Sequence, residues 1–139
     1  MIKLLLASHG DLADGICSSL EIIIGKQNNI LTLCAYKEEN FDLKKEIKNI
    51  LESLPKEEKL IVITDIFGGS VNNEFMNNLN QENLYLISGL NLPLVIELIT
   101  MQDEENIEEM IKIALENSKE SIKYCNLILE ESEVEEEGF

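Results

Sequence analysis

The chain has 139 residues, 45% hydrophobic and 27% charged, the make-up of one ordinary globular domain that can bury a core without metal or disulfide staples. A formal net charge of −16, with 11 lysines and no arginine, argues against nucleic acid and against an anionic membrane surface, and favours a basic protein partner through its encounter rate. No apolar run approaches the roughly 18–20 residues of a membrane span. Cys17, Cys34 and Cys125 have no ligand spacing and fit buried, reduced thiols rather than a disulfide framework or a zinc site.

In chain order, "IKLLLAS" (2–8) is the near-continuous apolar run of a strand covered on both faces. Its apolar part, about six residues, is shorter than the core of a signal peptide, so the expected location is cytoplasmic. "DLADGICSSLEIIIG" places Leu12, Ile16, Leu20 and Ile23 or Ile24 at helical spacing, with Gly25 as the stop. "NILTLCAY" (29–36) predicts a second strand. A helix follows, with Leu43, Ile47, Ile50, Leu51 and Leu54 on one face and Pro55 ending it. "KLIVITD" (59–65) is the most β-branched strand. "GGSVNNEFMNNL" opens a short helix with Val71, Phe75 and Leu79 on one side.

"NLYLIS" (83–88) is a fourth strand. Beyond it, Asn91 is the N-cap of a helix that carries Pro93 in its first turn. Ile107, Met110, Ile111, Ala114 and Leu115 line one more helix, and "IKYCNLIL" (122–129) predicts a last strand. The order βαβαβαβααβ implies an α/β, doubly wound, mostly parallel sheet. One domain is expected over residues 1–129, followed by a frayed acidic tail over 130–139.

Ligands of such sheets bind outside the carboxyl ends of the strands, near a switch in strand order. Two polar clusters fall there: "SHGD" after the first strand, with the chain's one histidine, and "DIFGGS" after the third. In a 2-1-3-4 strand order His9 and Asp65 end side by side. A carboxylate that accepts one ring N–H fixes the imidazole tautomer and leaves the other nitrogen nucleophilic. Gly68 and Gly69 permit close backbone approach. Ser70 adds a hydroxyl at a helix start, where exposed N–H groups favour anions. Alone, each feature is an ordinary loop or cap residue. Together they suggest phosphoryl transfer through phosphohistidine.

At these residues the sequence resembles the IIA component of the mannose-type (mannose/fructose/sorbose) family of the bacterial phosphoenolpyruvate-dependent sugar phosphotransferase system. "SHGDLADGICSSLEIIIG", "DIFGGS" and "SGLNLPLVIEL" carry the resemblance, in order, across roughly residues 1–125. It implies four parallel strands plus a C-terminal antiparallel strand, here "IKYCNLIL", exchanged between the subunits of a homodimer. It also implies that His9 takes a phosphoryl group from phospho-HPr and passes it to a IIB component, which phosphorylates sugar entering through IIC and IID. Asp65 would hydrogen-bond the ring, and Ser70 with Gly68 and Gly69 would steady the phosphoryl group. No cofactor or metal is implied, and membrane association would come only through the permease complex. One departure is that Val71, Asn72 and Asn73 stand where the family often has proline and an Asn-Ala pair.

Other readings stay open. A receiver-like signalling domain would be phosphorylated on Asp65, but it resembles its kin in an acidic pair after strand one and a lysine after the last strand, which are not seen here. A flavin or dinucleotide binder is opposed by the lack of GxGxxG. A non-enzymatic interaction module, with His9 structural, leaves the co-occurrence of "SHG" and "DIFGGS" unexplained. The phosphotransfer subunit of dihydroxyacetone kinase is a related phosphohistidine alternative.

Overall fold

The computed structural model describes residues 2–137, the side chains of 132–137 excepted. The chain divides into two compact units, residues 1–95 and 96–139. The first unit holds a four-stranded parallel sheet with strand order β2-β1-β3-β4, made of β1 (Ile2–His9), β2 (Ile30–Ala35), β3 (Lys59–Thr64) and β4 (Leu84–Ser88). The apolar runs in the sequence explain why β1 and β3 are central. Leu4 to Ala7 and Leu60 to Ile63 are wholly inaccessible to solvent, because both faces of these strands are covered.

Alternation along the strands divides the core. Leu5, Ala7, Leu33, Leu60 and Val62 meet α2 (Leu43–Ser53) and α3 (Ser70–Met76) through Ile47, Leu51, Val71 and Phe75. Right-handed crossovers send α1 (Leu12–Ile24) to the opposite face, because the chain steps from β1 to β2 in one direction and from β2 to β3 in the other. There α1 runs back over β1 and β2 and buries Ala13 and Leu20. The Asp42 carboxylate accepts from the Lys45 N–H at 3.2 Å and caps α2. Asn91 caps α4 (Leu92–Thr100) as expected, its Oδ1 accepting from the Leu94 N–H at 3.0 Å.

Three expectations about burial and helix faces are corrected. Leu12 and Ile23 are 47% and 57% exposed, because the buried line of α1 runs through Ala13 and Leu20 instead. Leu79 does not share a face with Val71 and Phe75, since α3 stops at Met76. The thiols are less buried than expected: Cys17 and Cys34 are half-buried and Cys125 is exposed.

In the second unit α5 (Ile107–Glu120) is capped by Asn106, which accepts from the Glu109 N–H at 3.1 Å. Ile107, Met110, Ala114 and Ser118 form its buried stripe. Asn117 on this helix donates to the Glu97 carboxylate at 3.1 Å. The segment read as a last strand is not one: residues 125–137 form α6 (Cys125–Glu137), which also takes in the described part of the acidic tail. An apolar run becomes a strand only where a neighbour supplies the ladder; otherwise its backbone satisfies its own hydrogen bonds. The leucines and glutamates after Cys125 are strong helix formers, so local propensity decides the outcome.

Candidate functional site

The carboxyl ends of β1, β2 and β3 come together at one end of the sheet, and the two polar clusters leave the sheet there. β1 ends at His9, which pairs in register with Ala35 of β2. Gly10 then turns the chain at a φ of 58°, its N–H held by the Ala35 carbonyl at 2.8 Å. Buried Ser8 sets the turn. Its hydroxyl donates to the Gly10 carbonyl at 3.1 Å and accepts from the Ala13 N–H at 2.8 Å, serving α1 in place of Asp11, which makes no side-chain cap.

The β1–β3 ladder continues one bond past β3, from the Asp65 N–H to the Ala7 carbonyl at 3.1 Å. That bond brings the Asp65 carboxyl to the end of β1. One of its oxygens, Oδ2, accepts from the His9 backbone N–H at 2.8 Å and also lies 2.8 Å from His9 Nδ1. The other, Oδ1, accepts from the Ile66 N–H at 3.0 Å. Burial alone would raise this carboxyl, but the hydrogen bonds from the His9 backbone and ring and from Ile66 outweigh it and hold it below the usual carboxylate range. Asp65 is therefore an acceptor at neutral pH, and the contact to Nδ1 requires the proton to be on that nitrogen. Nε2 is left with a free lone pair.

Ser70, the first residue of α3, faces that lone pair, with Oγ 3.4 Å from Nε2. Its position follows from two bonds behind it. Buried Thr64, the last residue of β3, donates from its hydroxyl to Asn72 Oδ1 at 2.8 Å, tying the strand to α3. Asn73 Nδ2 closes the loop on the Gly68 carbonyl at 3.1 Å. Gly68 occupies a φ of 79°, which an L side chain resists. A Cβ on Gly69 would stand 3.4 Å from His9 Cε1 and 2.7 Å from Ile66 Cγ2. The structure thus brings together all five residues expected at the site: His9, Asp65, Gly68, Gly69 and Ser70.

Sequence reasoning missed Tyr36. Its hydroxyl lies 2.8 Å from Ser70 Oγ, and its ring sits beside the imidazole with centroids 5.5 Å apart. Phe41 backs that ring edge-on at 5.4 Å. Tyr36 reads in the sequence as the end of a strand, and its one available signal is that β2 neighbours β1, so the residue after β2 overlooks the same crevice. The imidazole is 44% exposed, and in the loop after Asp65 the apolar side chains of Ile66 and Phe67 are 58% and 78% exposed.

Nearby, Asp11, Asp14 and Cys34 bring potential ligand atoms within 4.8 Å of one another. The Lys37 ammonium already pairs with Asp11, and burial first, then neighbouring acid, pushes the Cys34 thiol up, so this trio is poorly suited to a divalent cation. What the His9 arrangement can do chemically is attack an electrophile from Nε2 while Asp65 compensates the positive charge developing on the ring.

Comparison with known proteins agrees in family and in fold. The model of the EIIA-man family, "PTS system fructose IIA component", matches residues 3–115. A crystal structure from Klebsiella pneumoniae, described as a phosphoenolpyruvate-dependent sugar phosphotransferase system permease, is similar with a TM-score of 0.89 and 49% identity, over 92% of this chain and 93% of that one. The PTS IIA protein associated with the fucose utilization operon of Streptococcus pneumoniae is similar with a TM-score of 0.76 and 30% identity, over 92% and 96%. The fructose-specific EIIA component of Bacillus subtilis (strain 168) is 24% identical over 132 residues, 94% of this chain and 90% of the other.

Proposed function

This chain belongs to the EIIA-man family of PTS fructose IIA components, and from that membership we propose that it is a phosphocarrier whose acceptor atom is His9 Nε2. The donor is phospho-HPr and the next acceptor is a IIB component acting in sugar uptake. In the first step the bond from phosphorus to the donor's leaving atom breaks as a bond to Nε2 forms, and the donor keeps the electron pair. Handing the group to IIB reverses these roles. The donor supplies an already activated phosphoryl group, so neither step calls for a metal or cofactor.

The observation that carries this reading is the Asp65 oxygen 2.8 Å from His9 Nδ1, which leaves Nε2 free on the side where Ser70 Oγ stands 3.4 Å away. The Ser70 hydroxyl, with the Gly68–Gly69 turn, would face the transferred oxygens. A receiver-like role for Asp65 is disfavoured, because both of its oxygens already accept hydrogen bonds from His9 and Ile66.

The protein would work in the cytoplasm, reaching the membrane only through the permease complex. No described helix is long and apolar enough to cross a membrane. We further propose a homodimer, since Ile122, Tyr124, Leu127 and Leu129 are more than half exposed in the single chain. The names of the relatives differ in sugar, fructose in one and fucose in another, which fits selection by IIB and the membrane components rather than by this chain.

The test is labelling with phosphoenolpyruvate, enzyme I and HPr. The wild type is expected to carry an acid-labile, alkali-stable phosphate that His9→Ala loses while keeping its fold. An alkali-labile phosphate retained by His9→Ala and lost in Asp65→Ala would assign the protein to the receiver class instead.

A further inference from the structure

Tyr36 is, among the described residues, the one non-glycine residue at positive φ, 64°. That conformation is uncommon for a bulky side chain and persists only where the surroundings hold it. Its effect is to swing the ring off the end of β2 and over the crevice. The ring then lies 5.5 Å from the His9 ring at a tilt of 35°, braced by Phe41, with its hydroxyl 2.8 Å from Ser70 Oγ.

The direction of each bond in this chain of groups can be worked out. Nδ1 carries the ring proton, so Nε2 can only accept, and a hydroxyl facing it must donate. The Ser70 O–H therefore points to Nε2 across 3.4 Å, and its oxygen is left to accept from the Tyr36 O–H. When Nε2 bears a phosphoryl group its lone pair is used in the P–N bond, and the same Ser70 proton turns to a phosphoryl oxygen. The Tyr36 bond is unchanged in both states. It holds one rotamer of a serine that otherwise has three.

We propose that Tyr36 is a positioning residue that acts through Ser70, presenting the serine hydroxyl first to Nε2 and then to the phosphoryl group bound there. This rests on the phosphocarrier reading and deepens it. A purely structural Tyr36, serving only to pack on Phe41 and close the loop, would need its ring but not its hydroxyl.

The experiment is a rapid-quench measurement of phosphoryl uptake from phospho-HPr by the wild type, Tyr36→Phe, Ser70→Ala and the double variant. Thermal unfolding and the ³¹P shift of the phosphorylated proteins are recorded beside it. Tyr36→Phe is expected to keep its fold with at most a small drop in thermal stability and to transfer about three- to tenfold more slowly, the effect of losing one net hydrogen bond. In the Ser70→Ala background the same change should have no further effect, because interacting residues are non-additive. The ³¹P shifts of the two single variants should move the same way. A Tyr36→Phe protein that transfers at the wild-type rate overturns the inference and leaves the carrier reading standing. So does a loss that recurs in full without Ser70. A wild type that takes up no phosphoryl group overturns the carrier reading, and the inference with it.

Discussion

Asp65 Oδ2 holds His9 twice, through the backbone N–H and through Nδ1, both at 2.8 Å. One oxygen thereby fixes the position of the histidine's main chain and the orientation of its ring. The register of two parallel strands makes this possible: Ala7 of β1 pairs with Thr64 of β3 as the last pair of that ladder, so Asp65 comes to lie beside the end of β1, where His9 still pairs with Ala35 of β2. Whatever disturbs the β1–β3 ladder disturbs the His9 imidazole.

Asp65→Asn should slow phosphoryl uptake by about 10²–10⁴-fold without abolishing it, as expected when a carboxylate that orients a histidine is neutralised. An asparagine can turn its NH₂ toward Nδ1 and drive the ring proton to Nε2, where it blocks attack. His9 remains present, so slow labelling persists. Rapid-quench kinetics decide the matter, and a variant at the wild-type rate would remove Asp65 from the site.

The acid stability of the protein should also report Asp65. Its carboxyl is held lower in the folded state than in the unfolded chain, where an aspartate titrates at about 3.9. A depressed folded value means that the carboxylate stabilises the fold above the unfolded pKa and loses that contribution as pH falls through the folded one. The stability difference between wild type and Asp65→Asn should therefore shrink as the pH falls below about 4. Urea unfolding across pH 7 to 3 measures it. A difference unchanged down to pH 3 would mean that the His9 and Ile66 bonds do not favour the charged form.

The strand order and the His9–Asp65 pairing were legible because they rest on strong signals: apolar runs for β1 and β3, and polar residues where those runs stop. The faces of α1 were less so. Ile22, Ile23 and Ile24 are consecutive, so they span every side of a helix and no period can choose among them. Tyr36 was hidden because a positive φ at an aromatic residue has no sequence signature. The segment 122–129 misled because a short apolar run fits a strand or a helix equally, and its surroundings decide. Cys125 and Asn126 begin a helix that the glutamates beyond extend.

Two adjacent glycines should respond to alanine for different reasons. At Gly68 the φ of 79° puts an L residue in the left-handed region, and Gly68→Ala should destabilise the protein by about 1–2 kcal/mol. Gly69 has an ordinary φ of −72°, so its alanine costs little in backbone terms. Its new Cβ instead meets Ile66 Cγ2 at 2.7 Å and His9 Cε1 at 3.4 Å. Ile66 is exposed and can rotate, and the imidazole meets the new methyl only at van der Waals distance. Gly69→Ala should thus cost less stability than Gly68→Ala in paired urea measurements, and a larger loss at Gly69 would mean that the Ile66 side chain cannot give way.

Thr64→Val tests whether the core beneath the site positions Ser70. Thr64 is fully buried and Asn72 is 2% exposed, and the hydroxyl of the first donates to the carbonyl oxygen of the second at 2.8 Å. Valine keeps the shape and removes the donor, so the Asn72 oxygen is stranded at a cost of about 1–3 kcal/mol. The bond joins the last residue of β3 to the first turn of α3, and Ser70 begins that helix. Its loss should therefore also slow phosphoryl uptake, toward the rate of Ser70→Ala. Thr64→Ser, which restores the donor but lacks the methyl, should recover the uptake rate while remaining less stable by roughly 0.8 kcal/mol. If the serine variant regains stability but not transfer, the helix is positioned by its apolar contacts, Val71 and Phe75, and the buried hydrogen bond serves the fold alone.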